Sequence, residues 1–169
     1  EVEKELAENL STQVGLVSDT TRYTVGARVP PAVNSRGGVQ TPTSTGSLIE
    51  SYQTGTLTSA ALFNVWNWTP GPYTLSPSLR FEGGNVGTPF TLDPRLSTKR
   101  KLGSLDAVKA SAGLYHQRPR AQEAAEGFGN PDVGSRYALH YVAGYEREIP
   151  WRALPLTLDW QLFYRDLHH

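Results

Sequence analysis

Between residues 73 and 82 the chain alternates without a miss: Tyr73, Leu75, Pro77, Leu79 and Phe81 fall on one parity, Thr74, Ser76, Ser78, Arg80 and Glu82 on the other. Successive side chains of a β-strand point to opposite faces, so this stretch demands an apolar environment on one side and a polar one on the other. The same demand returns at 107–116, where Val108, Ala110, Ala112 and Leu114 oppose Lys109, Ser111, Gly113 and Tyr115. At 136–146, Tyr137, Leu139, Tyr141, Ala143 and Tyr145 oppose Arg136, Ala138, His140, Gly144 and Glu146. Phe90, Leu92, Pro94 and Leu96 form a further apolar face, and Leu156, Leu158, Trp160, Leu162 and Tyr164 the last, opposite Thr157, Asp159, Gln161 and Arg165.

Turn chemistry separates these runs. The chain's 16 Gly and 12 Pro imply many reversals, and Thr69-Pro70-Gly71-Pro72 is the sharpest, since Pro fixes φ and Gly accepts positive φ. Pro77 cannot donate to a ladder and predicts an edge, a bulge or a locally relaxed pairing. Residues 30–47 form a polar loop without periodicity, and residues 117–135 a second. At the N-terminus Val2, Leu6 and Leu10 recur every four residues as on a helix face, yet share parity with Val14 and Leu16 as on one long strand; the reading taken is a helical or irregular lead-in over 1–12 ahead of a β-domain over 13–169. The apolar set then changes parity between Val14 and Leu16 and Tyr23, Val25, Ala27 and Val29, which predicts a bulge or a tight turn at Ser18-Asp19-Thr20. About seven strands result, or about eight with a turn there.

Composition narrows the function classes. Lys plus Arg and Asp plus Glu number 16 each, so no overall field attracts nucleic acid, and no nucleic-acid partner is expected. Cys is absent, which excludes disulfides, thiolate metal sites and a cysteine nucleophile. Glu1-Val2-Glu3 has neither the basic start nor the apolar core of a signal peptide, so a processed chain or a piece of a larger one is expected. No run reaches the roughly 18 apolar residues of a spanning helix, so any membrane role has to use strands.

The connections alternate between long (30–47), short (69–72), intermediate (83–88), short (102–105), long (117–135) and short (147–153). In an up-and-down sheet this gathers tight turns at one end and loops at the other, the plan of an outer-membrane barrel. Trp66, Trp68, Tyr73 and Trp151 lie near the short-turn end, as an interfacial aromatic girdle does. The same alternation also builds soluble sandwiches and small barrels, and the pattern by itself leaves both open.

Four motifs, in order, resemble those of TonB-dependent receptors. Leu75-Ser76-Pro77-Ser78-Leu79-Arg80-Phe81-Glu82 is similar to that family's L-x-P-x-L-R-x-E/D strand. Asp93-Pro94-Arg95-Leu96-Ser97 with the strand 107–116 resembles the next hairpin. Asn130-Pro131-Asp132 followed by Tyr137 to Glu146 resembles its N-P-x-L and Y-x-x-G-x-E strand, and residues 158–165 the strand after it. The resemblance implies an outer-membrane barrel that imports siderophores or other scarce nutrients with energy delivered by TonB. Within these residues neither a plug nor a TonB-binding segment is found, and the strands amount to about a third of the family's barrel.

Inward-facing Arg80, Glu82, Lys109, Glu146, Asp159 and Arg165 are expected to form a polar lumen network, because charges withdrawn from water must pair. Arg118, Arg120, Glu123, Phe128 and Asn130 occupy the loop where a ligand would touch, since loops on a rigid scaffold carry recognition. His116, His140 and Asp159 on three strands invite a catalytic or metal reading, yet no H-x-x-x-H spacing marks a metal site. His168-His169 reads as a natural end or as the remnant of a tag. No catalytic residue, metal or cofactor is assigned, and no enzyme activity is expected.

The expectation is therefore an all-β, antiparallel up-and-down transmembrane β-barrel or barrel segment in the bacterial outer membrane, serving nutrient uptake or a passive pore. Its partners would be the lipid bilayer or detergent, with further barrel strands or another copy at its edges. The alternative is a soluble or engineered small β-barrel with a structural role and no transport. The two differ in whether Tyr73, Leu75, Leu79, Phe81, Leu139, Tyr141, Leu158 and Trp160 meet lipid or a packed core.

Overall fold

The computed structural model describes residues 1–29, 49–124, 130, 132–151 and 154–168. Eight strands, β1 (Val2–Ala7), β2 (Leu10–Val29), β3 (Ile49–Trp68), β4 (Tyr73–Gly84), β5 (Phe90–Lys101), β6 (Asp106–Gln117), β7 (Arg136–Trp151) and β8 (Leu154–His168), follow one another in the chain. They form a single antiparallel meander in that same order, with one short helix, α1 (Ala121–Ala124), between β6 and β7. Among the described residues β1 and β8 do not pair, so the sheet is open and has two edges, as a segment of barrel wall has. Among the described residues no helix is long and apolar enough to cross a membrane.

Three expectations are corrected. The lead-in expected over 1–12 is not helical: β1 pairs with β2 from Val2↔Val14 to Ala7↔Leu10, with a shift of register between Glu5 and Ala7 and a turn at residues 8–9. A spacing of four satisfies a helix face and strand parity alike, and the available partner strand decides between them. Ser18-Asp19-Thr20 is neither bulge nor turn, because β2 and β3 hold one unbroken register from Leu10↔Trp68 to Val29↔Ile49. The pairing of β3 with β4 ends at Ser59↔Gly84. Beyond it β2 and β3 continue as a two-stranded ribbon with no neighbouring strand among the described residues, so the parity that the sheet enforces is released there. Lastly, β7 runs on through Glu148, Ile149 and Pro150, which confines the expected turn at 147–153 to residues 152–153. The loop expected over 30–47 lies outside the described residues.

Burial is inverted relative to a globular domain. Among the described residues the buried hydrophobic ones are Ala61, Ala107, Ala124 and Ala138, and no large side chain is fully buried. Thr91 and Asp93, by contrast, are buried polar residues. Along β4, β5 and β6 one face is exposed and carries Leu79, Phe81, Leu92, Leu96 and Val108, while the opposite, inner face is partly covered and polar. Trp160 is 70% exposed and Leu162 80%.

The ladder between β3 and β4 is interrupted. Val65↔Ser78 is followed directly by Trp68↔Leu75, with no pairing at Trp66 and Pro77 or at Asn67 and Ser76. Pro77 offers no N–H at that rung. On the inner face the Ser76 hydroxyl bridges the gap by donating to Asn67 Oδ1 at 2.8 Å.

Candidate functional site

Register on the inner face brings together charges that are far apart in sequence. Glu146 on β7 accepts Lys99 Nζ at 2.7 Å and Lys109 Nζ at 2.5 Å, and Lys109 also reaches Asp159 on β8 at 2.8 Å. Gln161 Nε2 steadies Asp159 from the same strand at 3.3 Å. Alternating cations and carboxylates thus cross four strands, and a groove of about 260 Å³ beside them is lined largely by Ser, Thr and Lys side chains such as Ser76, Ser97 and Ser111.

Gly144 makes this chain of charges possible. It stands opposite Lys109 on one side and Gln161 on the other, and a Cβ there would meet the Trp160 carbonyl oxygen at 2.9 Å and Gln161 Cγ at 3.2 Å. Because the first obstacle is backbone, Gly144→Val is expected to force β7 and β8 apart at a loss of about 1–3 kcal/mol. A lower urea midpoint with faster amide exchange along β8 is the measurement.

A second cluster lies toward the loop end. Arg80 Nη2 donates to Glu82 Oε2 at 2.7 Å, and Arg118 Nε donates to Glu82 Oε1 at 2.9 Å. The other Arg118 N–H groups are spent on backbone carbonyls: Val86 at 2.7 Å, Thr88 at 3.2 Å, and Glu82 and Pro89 at 3.4 Å. Gly84 leaves room for this guanidinium, since a Cβ there would meet Arg118 Nη1 and the Thr58 carbonyl oxygen at 2.8 Å. At the far foot of the same loop Thr88 N donates to Ser135 Oγ, and Ser135 N returns a bond to Thr88 Oγ1, both at 3.1 Å. The connection between β6 and β7 is therefore clamped at both feet onto the connection between β4 and β5.

A third cluster centres on Asp93, which accepts His116 Nδ1 at 2.5 Å and Arg95 at 3.5 Å. Arg95 lies over the Tyr115 ring at 4.0 Å, and Tyr115 stacks on His140 at 4.4 Å. Arg165 faces His140 across the β7–β8 ladder and makes no ion pair among the described residues. His116, His140 and Asp159 are not assembled: six residues of extended β7 separate His140 from Glu146, the residue opposite Asp159, or about 20 Å. Among the described residues no group of three His, Cys, Asp or Glu could hold a metal.

Of the loop residues singled out in the sequence, Arg118 is engaged as described above, and Phe128 lies outside the described residues. Glu123 accepts the Arg120 amide at 2.9 Å and pairs with Arg136 at 2.9 Å. Asn130 Oδ1 accepts the Asp132 amide at 3.0 Å, while the Asn130 amide donates to the Glu123 carbonyl at 2.8 Å. The Arg120 amide, with the Arg136 and Arg120 guanidinium groups behind it, holds the Glu123 carboxyl below its ordinary value of 4.5. A carboxyl depressed in the folded state contributes stability above its unfolded value and loses it as pH falls through the folded one. Amide exchange at residues 120–124 is expected to speed up on acidification below 4.5. Glu123→Gln should be fast at every pH.

Trp66, Trp68 and Tyr73 stand on the exposed outer face around the turn at 69–72. Gly71 takes the positive φ, 60°, which that turn requires. Trp151 ends β7 opposite Leu154, and its side chain lies outside the described residues. Asp93, Arg95, Tyr115 and Lys99 belong to the inner clusters and were missed in the sequence. Parity could have found Asp93, Arg95 and Lys99, for they alternate with Leu92, Pro94 and Leu96.

No family model and no curated protein matches this chain. Among solved structures, the fold is similar to the siderophore receptor PirA from Pseudomonas aeruginosa, with a TM-score of 0.61 and 14% identity. The match covers 93% of this chain and 32% of that one, so the chain spans about a third of the receptor's length and shares its fold over that third.

Proposed function

We propose that this chain forms part of the wall of a TonB-dependent receptor barrel in the bacterial outer membrane, its inner face lining the route of a siderophore-type nutrient. The observation that carries the reading is the inverted burial: large apolar side chains on the outer face, and alanine and polar groups within. Water is a poor solvent for such an outer face and the hydrocarbon of a bilayer a good one. The motif order and the fold likeness to a siderophore receptor support the same conclusion.

In this reading the sheet's two edges take up neighbouring strands of the barrel. On β8, Leu162 and Phe163 are about equally exposed although they point to opposite faces, as befits a strand still lacking one neighbour. The charged ladders give the passage a polar surface, and the loop clamped at both feet carries Arg120, Glu123 and Asn130 toward the ligand. Catalysis, metal and cofactor have no part in it.

Size-exclusion with light scattering, in plain buffer and in mild detergent, tests this, with far-ultraviolet circular dichroism on each peak. A monodisperse β-rich species only in detergent is the expected result. A compact β-rich monomer in buffer alone would sink it.

A further inference from the structure

On the outer face, where Pro77 interrupts the ladder between β3 and β4, lies a groove of about 390 Å³ lined by Leu10, Trp66, Trp68, Leu75, Pro77 and Leu96. No polar residue lines it. One rung toward the short turns, Arg100 lies against the Tyr73 ring at 5.3 Å. The outward positions of β2 to β5 around the groove, residues 10–22, 58–68, 73–83 and 90–100, hold no carboxylate.

From this juxtaposition we infer that the groove is a specific seat for one anionic glycerophospholipid, an acyl chain lying between Trp66 and Leu75 and the phosphate held by Arg100 at the groove's short-turn end. The inference rests on the membrane reading above and adds a headgroup preference to it. A methylene chain fits a dry cleft between rings and aliphatic side chains, and the missing ladder bonds leave that cleft open. An arginine braced on an aromatic face loses little further freedom when it takes up a phosphate oxygen, and the indole rings of Trp66 and Trp68 suit the interface at that depth. The charge selects an acidic headgroup over a zwitterionic one.

The test uses the full chain carrying Trp151→Phe and Trp160→Phe, so that Trp66 and Trp68 are the only tryptophans. It is reconstituted in phosphatidylcholine vesicles containing either phosphatidylglycerol or phosphatidylcholine with brominated acyl chains, at equal mole fraction. Bromine quenches tryptophan on contact. The expected result is about fivefold stronger quenching per facing cation by brominated phosphatidylglycerol. Arg100→Gln should abolish the preference, whereas Arg22→Gln, at the other end of the outer face, should leave it intact. Equal quenching by both lipids in bound protein overturns the seat while the membrane reading stands. A chain that does not float with vesicles overturns both.

Discussion

Leu79→Arg is expected to destabilise the protein in detergent or lipid by about 2–4 kcal/mol, while Ser78→Arg, one residue away, costs about 1 kcal/mol or less. Leu79 is on the outer face between Asn64 and Pro94, in the middle of β4, where the proposal puts hydrocarbon. A guanidinium there has no water, and the neutral Asn64 Oδ1 opposite does not compensate its charge. Ser78 faces inward between Val65 and Arg95, and an arginine in its place meets only weak like-charge repulsion on a polar, hydrated surface. Urea titration followed by tryptophan fluorescence reads both changes as shifts in midpoint. Were the outer face simply wet, Leu79→Arg would stay within about 0.5 kcal/mol, as surface substitutions do, and the asymmetry would vanish.

Arg118→Ala is expected to cost about 3 kcal/mol and to free both loops that it joins. The residue is mostly covered, its side chain 16% exposed and that of Glu82 19%. Removing it strips one of two cations from the carboxylate and takes a donor from four carbonyls, of which Pro89 keeps the Gly84 amide. Arg118→Lys should recover little, because an ammonium has three donors and no planar fork to spread over five acceptors. Hydrogen exchange at residues 84–89 and 132–135 is the direct readout, with the centre of the sheet unchanged. A loss confined to binding, with exchange unaltered, would instead make Arg118 a ligand contact.

What the sequence revealed and what it hid follow from the physics of a sheet. Strand parity was legible wherever a strand has neighbours on both sides, as in β4 to β7, because a slip of one residue would turn every Leu and Tyr inward. The relaxed pairing at Pro77 was legible too, since a missing N–H is a property of the residue itself. β1 was not, because Val2, Leu6 and Leu10 fit two periods equally well. Nor was the course of β2, whose outer half answers to a single partner. Inner-face residues such as Glu146 and Lys109 could be named from parity, but Lys99, Lys109 and Asp159 converge on one another through registers that no local pattern contains. Arg118 shows the remaining limit: a loop arginine reads alike whether it serves a ligand or its own backbone.

The ribbon of β2 and β3 continues for ten residue pairs past the point where β4 stops, about 33 Å of extended chain. Asn85 ties its foot to the wall at Thr56 and Thr58, and farther out it is held by its own rungs, such as the Thr24 and Thr54 hydroxyls 3.3 Å apart. Two strands without a second layer are marginal on their own. Such an arm can therefore unzip from its tip inward without disturbing a rung of the wall behind it. Opening there shortens the arm from its far end, while Asn85 keeps its foot on the wall.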